Sequence, residues 1–167
     1  MAMEIAQAPE GGWLPGMEPA DWMMLLLGAD NGSPILGKTS FVKQLFVLGK
    51  EVISDIDRKF AFYPSKYGPY SRIFESALHD IMQRGWVTEK RVMVGASEGS
   101  GVQRSDFMLT PAGVEVAENL LQRMPGDLRE NMNQYKRVMS GLGLWGLIQY
   151  VYSSYPEYAV LSELRPG

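Results

Sequence analysis

The stretch SRIFESALHDIMQRGWVTEKRVMVGASEGSGVQRSDFMLTPAG, residues 71–113, decides the fold. Its first part predicts a helix that is capped by Ser71, a favoured N-cap residue, and reaches Arg84. Apolar side chains recur there at the spacing of one buried helical face, at Phe74, Leu78 and Ile81. Gly85 favours the end of the helix, because glycine readily adopts the left-handed conformation found at such ends.

The second part of the stretch predicts an antiparallel hairpin. A strand is expected over residues 86–94 and a return strand over 106–109. Residues 95–105 between them are rich in Gly and Ser, which is typical of a flexible tip. Thr110 and Pro111 then predict another helix, as N-cap and first helical residue.

Further helices are predicted on both sides. Upstream, Pro19 opens a buried helix that ends near Gly28, and Thr39 or Ser40 caps a second one. Residues 50–70 show no helical or strand periodicity and are predicted to be irregular. Downstream, Asp127 with Glu130 resembles a capping box, and a last apolar helix is expected from about residue 144 to 155.

Three helices, a hairpin and further helices predict a mainly α fold with a small antiparallel β wing. This is the order of a winged helix-turn-helix domain with a C-terminal helical extension. We expect a flexible N-terminal arm over residues 1–18, the winged helix-turn-helix domain over 19–124, and the extension over 125–167.

Three segments carry a family resemblance: FVKQLFVL at 41–48, YPSKYGPYS at 63–71 and VYSSYPEY at 151–158. They resemble the YwgA-like proteins of bacteria and archaea over roughly residues 22–162. These proteins in turn are similar to the SocA-like antitoxin domain called Panacea, which has an L-x-K-L-x-F helix and a Y-G-P loop. The resemblance implies a winged-helix-like adaptor, antitoxin or regulator.

Composition narrows the function. The chain has no Cys and one His, so thiol catalysis, Cys-based zinc sites and His-rich metal sites are excluded. We therefore expect a non-enzymatic protein without metal or cofactor. No secretory signal or membrane span is expected, because the longest early apolar run covers only residues 22–27, and a cytoplasmic location is predicted. The net charge is −3, but residues 38–104 hold eleven Lys and Arg against seven Asp and Glu.

This basic middle region supplies a candidate surface for double-stranded DNA. The helix after Ser71 would present outward side chains that can contact bases or phosphates. Further basic residues lie near the hairpin tip, and one lies in an aromatic-basic loop, residues 58–72. The candidates are Lys66, Arg72, Ser76, His79, Gln83, Lys90, Arg91 and Arg104. Glu75 and Asp80 share the helical face and would be repelled by phosphates. A merely solvated helix, and a loop packed by its aromatics, are the alternatives.

Residues 32–39, GSPILGKT, match the phosphate-binding loop pattern G-x-x-x-x-G-K-T. Pro34 lacks the backbone N–H that such a loop needs, and no later βα repeats follow. Nucleotide binding through Lys38 is therefore a secondary hypothesis, and a connection between two helices is favoured.

Two main hypotheses remain open. One is a DNA-binding transcription regulator, and the other is a protein-binding adaptor or antitoxin-like module that does not bind DNA. The acidic pI of about 5.2 and the two acids on the candidate helix favour the second. A homodimer through the C-terminal helices is a further hypothesis.

Overall fold

The computed structural model describes residues 16–95 and 101–164. In these residues the chain is mainly helical, as predicted. The helices are α1 (Pro19–Gly32), α2 (Lys38–Glu51), α3 (Ser54–Phe60), α4 (Arg72–Gln83), α5 (Pro111–Gln122), α6 (Gly126–Gly141) and α7 (Gly143–Ser154), followed by a 3-10 turn, Pro156–Tyr158.

The predicted small antiparallel sheet is also confirmed. Its strands are β1 (Ile35–Leu36), β4 (Val87–Val94) and β5 (Val102–Leu109), while β2 (Tyr63–Ser65) and β3 (Gly68–Tyr70) form a separate hairpin. Strand β5 lies in the middle of the three, with β1 on one side and β4 on the other. Both pairings are antiparallel, with Ile35 opposite Phe107 and Val87 opposite Leu109.

The core forms around α1. The side chains of residues 22–27 are fully buried, so this helix has no solvent-facing side there. Phe41 of α2 lies against Phe74 of α4 and Phe107 of β5, with ring centroids 5.1 and 5.7 Å apart. These aromatic contacts join α2, α4 and the sheet, and so fix how α4 is presented to solvent.

The local signals around α4 are confirmed. The Ser71 hydroxyl accepts a hydrogen bond from the Phe74 N–H at 3.1 Å, and Gly85 has a left-handed φ of 74°. At the start of α5, the Thr110 hydroxyl accepts from the Gly113 N–H at 3.0 Å. Strand β5 is longer than predicted, because β4 pairs with it as far as Val94 opposite Val102.

Two predictions upstream of α4 are wrong. Helix α2 begins at Lys38 with Gly37 as its N-cap, not at Thr39 or Ser40. Gly37 donates its N–H to the Ser105 carbonyl at 3.0 Å and turns the chain with a φ of 96°, so the helix follows the strand without a spacer. Residues 50–70 are not irregular, since they contain α3 and the β2–β3 hairpin.

The start of α6 also differs from the prediction. The helix begins at Gly126 after Pro125, and no side chain caps it, so the expected pairing of Asp127 with Glu130 is absent. The helix is held in place by burial of its apolar face instead, including Leu128, Met132 and Tyr135.

The buried side chains of α6 and α7 belong to the same core as those of α1 and α2. The proposed division at residues 124 and 125 stays a prediction, as does the homodimer. Most of the predicted arm, residues 1–15, and part of the predicted tip, residues 96–100, lie outside the described residues. Within the described ranges, no helix has the length and apolarity needed to cross a membrane.

Candidate functional site

The exposed face of α4 carries half of the candidate DNA-binding residues. Burial of Phe74 and three neighbours at helical spacing turns the opposite side of the helix to solvent. Four exposed side chains define what we call the α4 face: Arg72, Ser76, His79 and Gln83. Their exposure follows the predicted period of the helix, and they lie on one element within three turns.

Both acids next to the α4 face are paired with bases. Glu75 forms an ion pair with Lys38 at the start of α2, and Asp80 pairs with Arg84 at 3.2 Å along α4 itself. The four side chains are 41–55% exposed, so these pairs add little stability. They do neutralise the carboxylates locally, and among the described residues no carboxylate pairs with Arg72 of the α4 face.

The β4–β5 hairpin carries three more candidates, of which two are exposed and one is hydrogen-bonded to a carboxylate. Lys90 and Arg91 are exposed on β4, and Arg91 lies 3.9 Å from Glu89. Arg104 on β5 makes two hydrogen bonds to the carboxylate of Asp106, at 2.7 and 2.9 Å. Those bonds raise the pKa of Arg104 and hold its side chain against the carboxylate of its own strand, β5.

Lys66 lies on a different element, the turn of the β2–β3 hairpin. Its ammonium is exposed and lies 5.1 Å from the centroid of the Tyr67 ring. The same hairpin reaches α4 at its other end, where Arg72 lies 5.8 Å from the Tyr63 ring. The predicted aromatic-basic loop is thus an ordered hairpin adjoining α4.

The start of α2 is where these elements meet. A side chain at Gly37 would contact the Arg104 stem at 3.6 Å, and Lys38 reaches Glu75 of α4. The segment that matched a phosphate-binding loop forms β1 and this junction. Its lysine is engaged with Glu75, so the geometry lends the nucleotide-binding hypothesis no support.

A cavity of about 210 Å³ opens beside this junction, between α2 and the β2–β3 hairpin. Its lining residues are Lys38, Thr39, Val42, Lys43, Tyr67, Pro69 and Tyr70. Lys43 is 1% exposed, and its ammonium donates to the Tyr67 carbonyl at 2.5 Å. No carboxylate among the described residues pairs with it, and burial lowers the pKa of Lys43 from 10.5 to about 8.

Lys136 of α6 is a second buried lysine, with a structural role. It donates to the carbonyls of Leu27, Ala29 and Ser33 at 2.8, 2.9 and 2.6 Å. Burial lowers the pKa of Lys136 to about 7. These carbonyls lie where α1 unwinds, with Asp30 at a left-handed φ of 52°, so Lys136 satisfies the end of that helix.

Sequence reasoning missed both buried lysines. Lys43 carried one readable signal, because Phe41, Val42, Leu45 and Phe46 surround it in sequence and leave α2 without a polar face. Lys136 carried none, because its partners lie more than 100 positions away. In the part of the chain that the structure describes, no group of three or more His, Cys, Asp or Glu could hold a metal ion.

Comparisons with protein-family models, curated proteins and solved structures find no match to this chain.

Proposed function

We propose that this chain is a non-enzymatic winged helix-turn-helix protein that binds double-stranded DNA through the α4 face and the β4–β5 hairpin. The element order supports the fold assignment: α1, β1 and α2 precede α4, and the hairpin follows it. The sheet order β1–β5–β4 also fits, because the short first strand pairs with the returning strand of the wing. In this arrangement α4 is the recognition helix.

The observation that carries the DNA-binding proposal is the pairing of both acids of α4. A free Glu75 and Asp80 would repel phosphates, but Lys38 and Arg84 compensate them. Ser76, His79 and Gln83 then offer hydrogen-bonding groups to base edges, and Arg72 a contact to a phosphate or guanine.

Exposed cations of the β2–β3 hairpin, of α4 and of the β4–β5 hairpin add contacts that do not depend on the DNA sequence. Lys66, Arg72 and Lys90 have no carboxylate partner among the described residues, and Arg91 is held only loosely. Positive side chains of this kind bind the phosphate backbone and release counterions. These cations would position the protein on the duplex, and the polar residues of α4 would discriminate between base sequences.

A double substitution tests the surface directly. We expect Arg72→Ala with Lys90→Ala to weaken binding of a random-sequence duplex about tenfold, measured by fluorescence anisotropy. Arg123→Ala is the control, because Arg123 is exposed and follows the last residue of α5, outside the proposed surface. Equal affinities for the double variant and the control would overturn the proposal.

A protein-binding adaptor is the second candidate. Met93 and Val102 are 60% and 71% exposed on the β4–β5 hairpin, and exposed apolar side chains that lie close together can mark a protein-binding surface. A stable protein partner, together with no duplex binding at low salt, would favour this candidate.

A further inference from the structure

The cavity beside the start of α2 has the composition of a site for an amphipathic anion. Val42 and Pro69 supply apolar walls and Tyr67 and Tyr70 supply aromatic ones, while two lysines and Thr39 also line it. Its volume of about 210 Å³ is below the range of roughly 300–1,000 Å³ typical of sites for drug-sized ligands. The space suits a small molecule with an apolar body.

Lys43 has hydrogen-bond donors that the described residues do not satisfy. An ammonium has three donors, and among the described residues only the Tyr67 carbonyl accepts from Lys43. Buried charges in proteins are ordinarily paired, because removing an unpaired ion from water is costly. Yet this lysine lines the cavity with the centroid of the Tyr152 ring 5.6 Å away, and within the described ranges no carboxylate pairs with it.

The first turn of α2 adds a second source of positive potential. Its N-cap, Gly37, has no side chain to accept hydrogen bonds from the first backbone N–H groups. Lys38 and Thr39 of that turn line the cavity. The positive end of a fourteen-residue helix, a hydroxyl and a buried ammonium thus meet around one space.

We propose that this cavity binds a small organic carboxylate, with the carboxylate paired to Lys43 and the apolar or aromatic body against Val42, Tyr70 and Pro69. Inorganic phosphate would satisfy the charge but leave these apolar walls uncovered. A neutral molecule of the same shape would fill the walls but leave Lys43 unpaired.

Lys38 couples the cavity to the α4 face. This lysine lines the cavity and also neutralises Glu75. A bound carboxylate attracts Lys38 and leaves Glu75 uncompensated beside Arg72, which lowers affinity for phosphates. This coupling rests on the proposed DNA binding, whereas carboxylate binding itself does not.

Calorimetric titration of the full chain, without DNA, tests the site. The probes are benzoate, phenylacetate and 3-phenylpropionate, each beside its amide, and inorganic phosphate. We expect at least one carboxylate to bind about tenfold or more tightly than its amide and than phosphate. Binding of none of the three acids, or equal binding of acid and amide, would overturn the proposal.

Variants locate the bound anion. Lys43→Met keeps most of the side-chain volume and should weaken carboxylate binding about tenfold or more, while Thr39→Val should weaken it less. Lys50→Met, also on α2 but outside the cavity, is the control, and circular dichroism checks that each variant is folded. Unchanged carboxylate binding by folded Lys43→Met, alone or combined with Thr39→Val in a double variant, would refute the assignment of Lys43 as the partner of the anion.

A final arm separates this site from the proposed function. With duplex DNA present, the carboxylate should lower DNA affinity in the parent chain but not in Glu75→Gln. Carboxylate binding without any DNA binding would leave the site standing and remove the proposed function. DNA binding that the bound carboxylate does not change would remove the coupling alone.

Discussion

Lys136→Met tests how the buried lysine of α6 stabilises the end of α1. Methionine keeps the length and most of the volume of the lysine stem, so packing against the core changes little. What it removes is the ammonium that donates to the carbonyls of Leu27, Ala29 and Ser33. The variant thus isolates the contribution of one buried amine and its hydrogen bonds to the end of α1.

The size of the effect follows from the number of acceptors left without a donor. A buried backbone carbonyl that loses its partner costs roughly 1–3 kcal/mol, and hydrogen bonds from charged donors lie in the upper half of that range. The Ser33 carbonyl is only partly buried, so water can replace its donor. Two buried acceptors and one accessible one cost about 4–6 kcal/mol, but the variant also removes the burial penalty that lowers the pKa of Lys136, so we expect a net loss of about 2–3 kcal/mol in the free energy of unfolding.

Urea unfolding followed by circular dichroism measures this loss. Arg137→Met is the control, because Arg137 is the next residue, also contacts the α1 end through Asp30 at 3.0 Å, and is 61% exposed. We expect the control to lose less than about 1 kcal/mol. A loss in Lys136→Met no larger than in Arg137→Met would refute the role given to the buried lysine.

Two further predictions concern close packing and pH. Gly113→Ala should lower the free energy of unfolding by about 3 kcal/mol or prevent folding, because its Cβ would lie 1.9 Å from the Trp86 carbonyl oxygen. Gly126→Ala is the control and should be neutral, because nothing lies within 4 Å of its Cβ position. Urea unfolding of both variants tests this. The free energy of unfolding should rise from pH 7 to 9, since Lys43 and Lys136 have folded-state pKa values of about 8 and 7 and the unfolded chain therefore binds more protons there. Urea unfolding at several pH values should show a smaller rise in Lys43→Met, and a flat profile in the parent chain would contradict this account.

The sequence predicted those parts of the fold whose signals are local. Ser71 and Gly85 mark the ends of α4, and the apolar period between them also predicted which side chains face solvent. Strands β4 and β5 were predicted for the same reason, because β-rich segments flank a Gly-rich tip. The extent of β5 was underestimated, since strand length depends on pairing between strands and not on either strand alone.

The β2–β3 hairpin and α3 were missed for physical reasons. Helix α3 has seven residues, too few to display a helical period. The hairpin strands contain Pro64 and Pro69, which sit opposite each other and which ordinarily argue against strands. In a two-stranded hairpin both strands are edge strands. A proline there, which has no N–H to donate, does not break the hydrogen bonds to a further strand.

The candidate site was predictable only in part. The exposure of Arg72 and its neighbours followed from the period of α4, but the pairing of Glu75 with Lys38 joins helices 37 positions apart. Arg104 lies near the tip end of the hairpin, opposite Val92, but its guanidinium is paired with Asp106 of the same strand. Ion pairs of this kind are decided by how helices and strands pack, which no local pattern encodes.

The salt dependence of duplex DNA binding tests the central claim most directly. If Lys66, Arg72, Lys90 and Arg91 each contact one phosphate, log K should fall against log salt with a slope of about −3.6, a loss of roughly 150-fold between 50 and 200 mM. Arg72→Ala with Lys90→Ala should reduce the slope to about −1.8, and Arg123→Ala should leave it unchanged. No duplex binding at 50 mM salt, or one slope shared by all three proteins, would contradict the account.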